Sequence, residues 1–365
     1  YSCFLAMMND YDCFKSMKQL IVITATYGQG EAPASAEKFM QLLAKKSQSQ
    51  KFQFATVGFG STAYPHFCQF AYVAHQQLEK LDKTTALMEV FTVNDQSFEA
   101  FQNWCTEWSQ SQEMDIRLEK PKIVGNSLPP STFKVLHKDE LPSDETFLLN
   151  LKNLNGAKPV SGDLLSVIPK EGERERLYSL GKLSDNSLVI SIRRHPNGLC
   201  SNYLHQLENG ADLTAKVVPN RNFHFPKKSK KTILIATGTG IGPFLGMIAE
   251  NSKKNELHLY WGARTPNSLS LYKDFIEKSI QEGKLSHFKT AYSREKDKKA
   301  YVQHLIEKDK QLFIEVLKKG GTIMICGSIA MQKEVLQELR SICSNYIGKD
   351  LSHFQNKRQI KMDCY

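Results

Sequence analysis

The chain has 365 residues, 41% of them hydrophobic and 24% charged, as in ordinary soluble globular proteins and unlike disordered, collagenous or fibrous chains. That length exceeds one hydrophobic core and predicts two or three domains. No apolar stretch reaches the roughly 18 residues that a membrane-spanning helix needs, there is no signal-peptide pattern, and the first residue is not methionine.

The eight cysteines, Cys3, Cys13, Cys68, Cys105, Cys200, Cys326, Cys343 and Cys364, are scattered without a C-x-x-C pair. No structural zinc, other metal site or disulfide framework is therefore expected, and a reducing location, cytoplasmic or on the cytoplasmic face of a membrane, fits. The net charge of +10 is unevenly spread. Residues 1–115 hold 8 Lys+Arg against 12 Asp+Glu, a net of −4, which leaves 40 and 26, a net of +14, for residues 116–365. An acidic part joined to a basic one predicts two units with different partners. It also predicts that the acidic unit docks on the basic one, with transfer between them weakening as salt rises.

In chain order, Gln19–Thr24 reads as a β-branched strand that ends in a glycine-containing loop, and a helix follows from Pro33 to about Lys46. Phe52–Gly58 is a second strand, and a helix near Phe67–Leu81 follows it with an apolar stripe. A strand near Leu87–Val93 and a helix near Phe98–Ser109 complete a rhythm that implies a doubly wound parallel sheet. The polar segment ending at Pro129 and Pro130 breaks that rhythm and predicts a linker over 116–131. From Thr132 to about Pro226, five short strands with Gly and Asn turns (TFKVLH, TFLLNLK, LLSVIP, RLYSLGKL and SLVISIRR) read as an antiparallel barrel. Strands at Thr232–Ala236, Glu256–Trp261, His287–Tyr292 and Thr322–Cys326 then alternate with helices, among them Tyr301–Lys319 and Met331–Tyr346. The predicted domains are 1–115, 132–226 and 227–365.

Two loops at adjacent strand ends attract attention first. Thr24–Glu31 is rich in hydroxyls and glycine, which lets backbone N–H groups approach a planar ligand, and Tyr27 is able to stack on one face. Gly58–Cys68 follows the next strand and offers Tyr64 for the other face. The phrases ITATYGQGEAPASAEKF and VGFGSTAYPHFCQFAY resemble the flavodoxin module of the diflavin reductases, a family that includes the NADPH–cytochrome reductases, the reductase half of nitric-oxide synthase and the sulfite reductase flavoprotein. By that resemblance Ala25, Tyr27, Gly28 and Gly30 form one FMN loop, and Gly60, Ser61, Tyr64, His66, Phe67 and Cys68 the other. Asn94 and Asp95 fall near a third contact, at a spacing that departs from the family's longer acidic loop.

The family holds the FMN phosphate in a Ser, Thr and Gly run after its first strand, and no such run precedes Leu20. Cys3–Met8 resembles the family's second strand. Residues 1–115 therefore read as an incomplete flavodoxin-like domain from a longer protein, with FMN binding weak or lost.

In the barrel, Arg176 and Tyr178 share one side of an alternating strand, and the planar guanidinium suits a pyrophosphate. Gly198-Leu199-Cys200-Ser201 opens a short helix whose N–H groups face an anion. Together these resemble the FAD-binding motifs of the ferredoxin–NADP reductase fold, with Arg176, Tyr178 and Ser179 on the flavin side and Gly198 to Ser201 on the pyrophosphate. The turn Gly238-Thr239-Gly240, within ATGTGIGPF, admits a diphosphate. The strand ending at Arg264 lacks the acid usual for an NAD ribose, and Ser293, Arg294, Lys299, Tyr301 and Gln303 match the family's 2′-phosphate and adenine contacts, favouring NADPH.

By the same resemblance, Ser179, Cys326 and Asp363 are the catalytic residues and Tyr365 covers the flavin. Tyr365 stands where the family generally carries Trp, and its smaller ring is expected to be displaced more easily. Only a few residues separate Val167 from Arg176, so no helical connecting domain interrupts the barrel.

The resemblance implies an incomplete flavodoxin-like α/β domain, an antiparallel β-barrel FAD domain and an α/β NADP-binding domain. Electrons would run from NADPH through FAD and FMN to an external acceptor, protein or small molecule. A single-flavin reductase holding FAD alone and a non-enzymatic scaffold are the alternatives. Nucleic acid is not expected as a partner, because the basic residues lack aromatic interleaving, and a membrane is expected only through an upstream anchor.

Overall fold

The structure, a computed structural model, describes residues 3–365 apart from 14–15, 27–29, 46–50, 63–65, 95–96, 115, 117, 119–128, 156–157, 171–174, 197 and 296–298. It divides into two compact units, Tyr1–Val124 and Gly125–Tyr365.

In the first unit, strands β1 (Gln19–Ala25), β2 (Phe52–Gly60), β3 (Thr84–Ala86) and β4 (Phe91–Asn94) form a parallel sheet with β2 at its centre. Helices α1 (Phe39–Lys45), α2 (Gln69–Glu79) and α3 (Phe98–Ser111) flank it. Phe52 and Phe54 pack with Phe39, Phe70 and Leu78 in one cluster, whereas Ala55, Val57 and Val93 pack with Trp104 and Trp108 in another. A near-continuous apolar β2 is what a strand covered by helices on both sides requires.

Three expectations change here. Residues 3–7 are not a strand: Phe4 is 76% and Leu5 99% exposed, and a turn of 3-10 helix over Met8–Cys13 follows. The strand predicted near Leu87–Val93 begins only at Phe91, as β4, because the chain bends at Leu87–Met88 and sets the Met88 sulfur 3.2 Å from Trp104 Nε1. A separate short strand, β3, precedes the bend, and both pair with β2. The helix after Pro33 begins as a separate 3-10 turn, Ala34–Ala36, before α1.

The second unit opens with a closed barrel of β5 (Ser131–Leu141), β6 (Thr146–Asn153), β7 (Leu164–Val167), β8 (Arg176–Lys182), β9 (Leu188–Arg193) and β10 (Asp212–Val218), with α4 (Leu199–Gln206) between the last two. Sequence reading omitted β10, which closes the barrel against β5 and β7. Its alternation was there to see, with Leu213, Ala215 and Val217 buried and Asp212, Thr214 and Val218 exposed.

After the barrel, a five-stranded parallel sheet runs in the order β13 (His287–Tyr292), β12 (Glu256–Ala263), β11 (Lys231–Thr237), β14 (Thr322–Gly327) and β15 (Ile360–Cys364). Helices α5 (Gly242–Ala249), α6 (Lys273–Gln281), α7 (Val302–Lys308), α8 (Lys310–Lys318), α9 (Ile329–Ile342) and α10 (Leu351–Asn356) complete the unit. The face carrying Leu234, Ala236, Trp261 and Cys326 packs on α5 and on the barrel residues Leu148 and Val189. A Cβ on Gly246 would strike the backbone of Gly181 and Lys182, so glycine sets how closely α5 approaches the barrel.

The expected single helix over Tyr301–Lys319 breaks at Asp309, whose carboxylate accepts from the otherwise buried Tyr260 hydroxyl at 2.6 Å and from Lys289 Nζ at 2.6 and 2.8 Å. The helix predicted over Met331–Tyr346 loses its α geometry at Cys343 and ends in a π turn, Cys343–Ile347.

Candidate functional site

The site grows from the edge strand β15. Gln359, just before it, donates to the carbonyls of Leu317 and Gly321 at 3.0 Å each, and Lys361 Nζ donates to the His224 carbonyl at 2.9 Å. So anchored, β15 runs parallel to β14 with Asp363 opposite Cys326 and Cys364 opposite Gly327.

On β8, Leu180 enters the barrel core and Tyr178 packs against that core. The intervening Ser179 faces away, and its Oγ donates to Asp363 Oδ2 at 2.7 Å. Residues 184 positions apart are thus joined, one from the barrel and one from the sheet. Burial raises the Asp363 carboxyl from its ordinary value, and the Ser179 hydroxyl partly offsets this. Cys326 is fully enclosed, and burial with the nearby Asp363 charge lifts its thiol well above the ordinary value. It is a neutral thiol at physiological pH and not a nucleophile.

Above this junction lies the turn after β11. Gly240 packs so tightly on β14 that a Cβ would collide with the Cys326 carbonyl. Gly238 has φ +52 and open space where a Cβ would project, and its carbonyl accepts from Trp261 Nε1 at 3.0 Å. Tyr365 closes the arrangement: its N–H donates to the Gly327 carbonyl at 2.9 Å, and its hydroxyl lies 3.0 Å from Thr239 Oγ1.

A cavity of about 390 Å³ opens here, lined by the 237–239 turn, Trp261, Arg264, Tyr272 and Tyr365 from the sheet side and by Asp144, Arg193 and His195 from the barrel. Its walls are tied together by Ser191 Oγ and Tyr272 Oη at 2.8 Å, by Ser268 Oγ donating to Asp144 Oδ2, and by Asn267 donating to Ser143 Oγ at 3.0 Å. Arg193, His195, Trp261 and Tyr272 were missed from sequence. The basic run Arg193-Arg194-His195 just before the Gly198 turn was the available signal.

At the sheet's far edge the structure groups the expected 2′-phosphate residues. The N–H groups of Ser293 and Arg294 donate to the carbonyls of Ala263 and Arg264 at 3.0 and 2.8 Å, and that of Ala300 to Tyr292 at 2.9 Å. Arg264 and Arg294 therefore sit on paired backbone, and Lys299 Nζ lies 5.4 Å from the centre of the Tyr301 ring. Gln303 lies in the first turn of α7, which Tyr301 caps.

The barrel motifs divide by accessibility. Arg176 is exposed at the start of β8, and Leu199 is 52% exposed at the start of α4, next to Gly198. Cys200 is buried, with Sγ 3.9 Å from the Val167 carbonyl and a bond to Tyr178. Ser201 Oγ accepts from the His195 N–H at 3.1 Å and donates to the Gly198 carbonyl at 3.2 Å. What this turn offers a ligand is consequently backbone N–H groups at the helix start.

In the first unit, loops at the ends of β1, β2 and β4 are cross-tied. Thr26 N–H donates to the Phe59 carbonyl at 3.4 Å, Phe70 N–H to Thr26 Oγ1 at 3.1 Å, and Thr62 N–H to Asn94 Oδ1 at 2.9 Å. Ala25, Gly30, Gly60, Ser61, His66 and Phe67 are half-buried along these loops. Cys68 is different. It is fully enclosed at φ 51, its thiol donates to the Gly58 carbonyl at 3.3 Å, and burial pushes its pKa up to about 11. Tyr27, Gly28, Tyr64 and Asp95 lie outside the described residues.

The chain thus combines a flavodoxin-like sheet with a closed barrel and a second parallel sheet. Residues 3–108 match the Flavodoxin family and residues 234–337 the Oxidoreductase NAD-binding domain family.

The chain is 28% identical over 221 residues to the NADPH–cytochrome P450 reductase of Dictyostelium discoideum, covering 55% of this chain and 33% of that protein. It is 33% identical over 180 residues to the sulfite reductase [NADPH] flavoprotein alpha-component of Vibrio cholerae, covering 46% and 29%. It is 36% identical over 148 residues to a bifunctional cytochrome P450/NADPH–P450 reductase of Bacillus subtilis, covering 38% and 14%. The chain thus spans a third or less of the length of these relatives. The fold of a ferredoxin-NADP+ reductase mutant from Plasmodium falciparum aligns with a TM-score of 0.54 at 21% identity, covering 65% of this chain and 96% of that one.

Proposed function

We propose that the chain is an NADPH-dependent flavin reductase that passes electrons from NADPH through FAD and FMN to an external acceptor. The observation that carries this reading is the junction of Ser179, Asp363 and Cys326 beneath Tyr365, which itself lines the cavity.

The residues present suit the NADPH and FAD that the reading requires. Gly238 leaves room for a phosphate beside Arg264, and Trp261 and Tyr272 give the cavity aromatic walls. Exposed Arg176, the N–H groups that open α4, and the apolar surfaces of Leu177, Leu199 and Tyr365, each at least half exposed, suit FAD along the barrel. Ala25, Gly30, Gly60, Ser61 and His66 would hold FMN at the ends of β1 and β2.

When bound, the nicotinamide and flavins supply the hydride and electron chemistry. Asp363 sets a carboxylate where positive charge develops on a nicotinamide ring, and the Ser179 hydroxyl fixes its orientation. Cys326, fully enclosed, backs the Gly240 turn and faces Asp363 as a neutral thiol. Arg264, Arg294 and Lys299 neutralise phosphate charge, with Ser293, Tyr301 and Gln303 completing the adenosine end. We further infer that the division into modules falls at 1–115, 132–226 and 227–365 across a 116–131 linker.

Among the described residues no helix is long and apolar enough to cross a membrane, and the seven described cysteines are free; both are compatible with a cytoplasm-facing location. The acceptor would be a protein or a small molecule, since fold and cofactors do not fix it.

The test is twofold. NADPH oxidation is followed with ferricyanide as acceptor, and flavin released by denaturation is separated chromatographically. Equal FAD and FMN with NADPH turnover supports the reading. FAD alone reduces it to a single-flavin reductase, and no turnover in FAD-loaded protein rejects it.

A further inference from the structure

On the NADPH reading above, Tyr365 has to swing its ring out of place when a nicotinamide arrives. Its backbone is fixed on both sides, with the N–H bonded to the Gly327 carbonyl at 2.9 Å and the carbonyl accepting from Ile329 N–H at 3.2 Å. Only the side chain is free to swing. The residue is 63% exposed, so packing alone holds the ring weakly. The phenol hydroxyl, however, reaches Thr239 Oγ1 at 3.0 Å. Thr239 is itself well placed to receive it. The Gly238 carbonyl accepts from buried Trp261, and Gly240 is pressed against the Cys326 carbonyl, so the turn carrying Thr239 has little room to shift.

We propose that Thr239 is a positioning residue that latches Tyr365 against the cavity wall, so that a nicotinamide ring enters only by breaking the Thr239–Tyr365 hydrogen bond. The inference rests on the NADPH reading above and adds a selectivity device to it. It also reverses the expectation that Tyr365, smaller than the usual Trp, is displaced more easily, because the hydroxyl supplies a bond that offsets the lost ring area. The latch acts on the nicotinamide end of the nucleotide alone. The adenosine end, expected near Arg294 and Lys299, does not meet it.

The experiment is calorimetric binding of NADP+ and of 2′,5′-ADP, which lacks the nicotinamide, to the full chain loaded with FAD. A net neutral hydrogen bond corresponds to roughly three- to tenfold in affinity. Thr239→Val and Tyr365→Phe are each expected to tighten NADP+ binding by that factor relative to 2′,5′-ADP, whose 5′-phosphate reports any separate effect on the phosphate turn. The double variant is expected to bind no tighter than either single one, because both remove the same bond. Thr239→Ser, which keeps the hydroxyl, restores the original affinity, and thermal melts confirm that each variant is folded.

Unchanged NADP+ binding in Thr239→Val overturns the latch. Equal changes for NADP+ and 2′,5′-ADP, or weaker binding of NADP+ relative to 2′,5′-ADP, also overturn it, since they report only the place of Thr239 in the phosphate turn. Failure of the unsubstituted chain to bind either ligand overturns the NADPH reading on which the latch depends.

Discussion

The two units solve the problem of building a ligand site differently. In the first, the candidate residues come from loops at the ends of neighbouring strands, β1 and β2, and each loop is a short continuous piece of sequence. In the second, the central contact joins Ser179 to Asp363 across 184 positions, and the cavity takes its walls from both barrel and sheet. A site made of local loops depends on backbone shape, and substitutions there act one loop at a time. A site made where two layers meet depends on the packing of those layers, so a distant contact controls it.

The largest effect is expected at that meeting point. Asp363→Asn removes the charge and is expected to lower NADPH-dependent flavin reduction about 100-fold, measured by stopped flow. The same change is expected to raise stability at neutral pH. Burial lifts the Asp363 pKa above its unfolded value, so its contribution is fully present below the unfolded pKa and is lost as pH rises through the folded one. Unfolding midpoints for both forms should therefore converge in acid and separate as pH rises. An advantage for the unsubstituted chain at neutral pH would show that the carboxylate is stabilised where it lies.

Next in size is the adenosine end. Replacing Arg294 and Lys299 with alanine is expected to weaken NADPH binding about 10- to 100-fold while leaving NADH nearly unaffected. An equal loss for both nucleotides would place these side chains elsewhere than on the 2′-phosphate.

A smaller and purely structural effect is expected at Gly240→Ala, where the new Cβ meets the Cys326 carbonyl. Overpacking of this kind costs about 1–3 kcal/mol, read from denaturant unfolding. Gly238→Ala offers the contrast, since a Cβ there meets nothing and the cost comes only from its φ of +52. Alanine at Gly238 should be the milder change for stability, and a reversal would contradict the tight approach of the turn to β14.

Much of this site was legible because its chemistry is written in short runs. The glycines of the 238–240 turn, the Arg176–Ser179 strand and the Ser293-Arg294 pair each have local reasons to be where they are. The contacts that organise the cavity were not legible. Ser191 meets Tyr272 and Asp144 meets Ser268 only because the barrel packs on the sheet, and no periodicity reports a pairing across more than 80 positions.

The fold shows the same division. The strongly apolar strands β11, β12 and β14 announce themselves, whereas the edge strand β15 reads IKMDC and hides its role in its register with β14. The break between α7 and α8 follows from the need of the buried Tyr260 hydroxyl for a partner, a demand invisible until Tyr260 is known to be buried.

The central claim is that the Ser179–Asp363–Cys326 junction is where a nicotinamide meets a flavin. The most direct measurement is anaerobic mixing of the FAD-loaded chain with NADPH while the oxidised flavin absorbance is followed. Prompt bleaching by NADPH, far slower with NADH and nearly abolished in Asp363→Asn, is the predicted result. Bound FAD that NADPH leaves oxidised, or bleaching indifferent to Asp363, would contradict it.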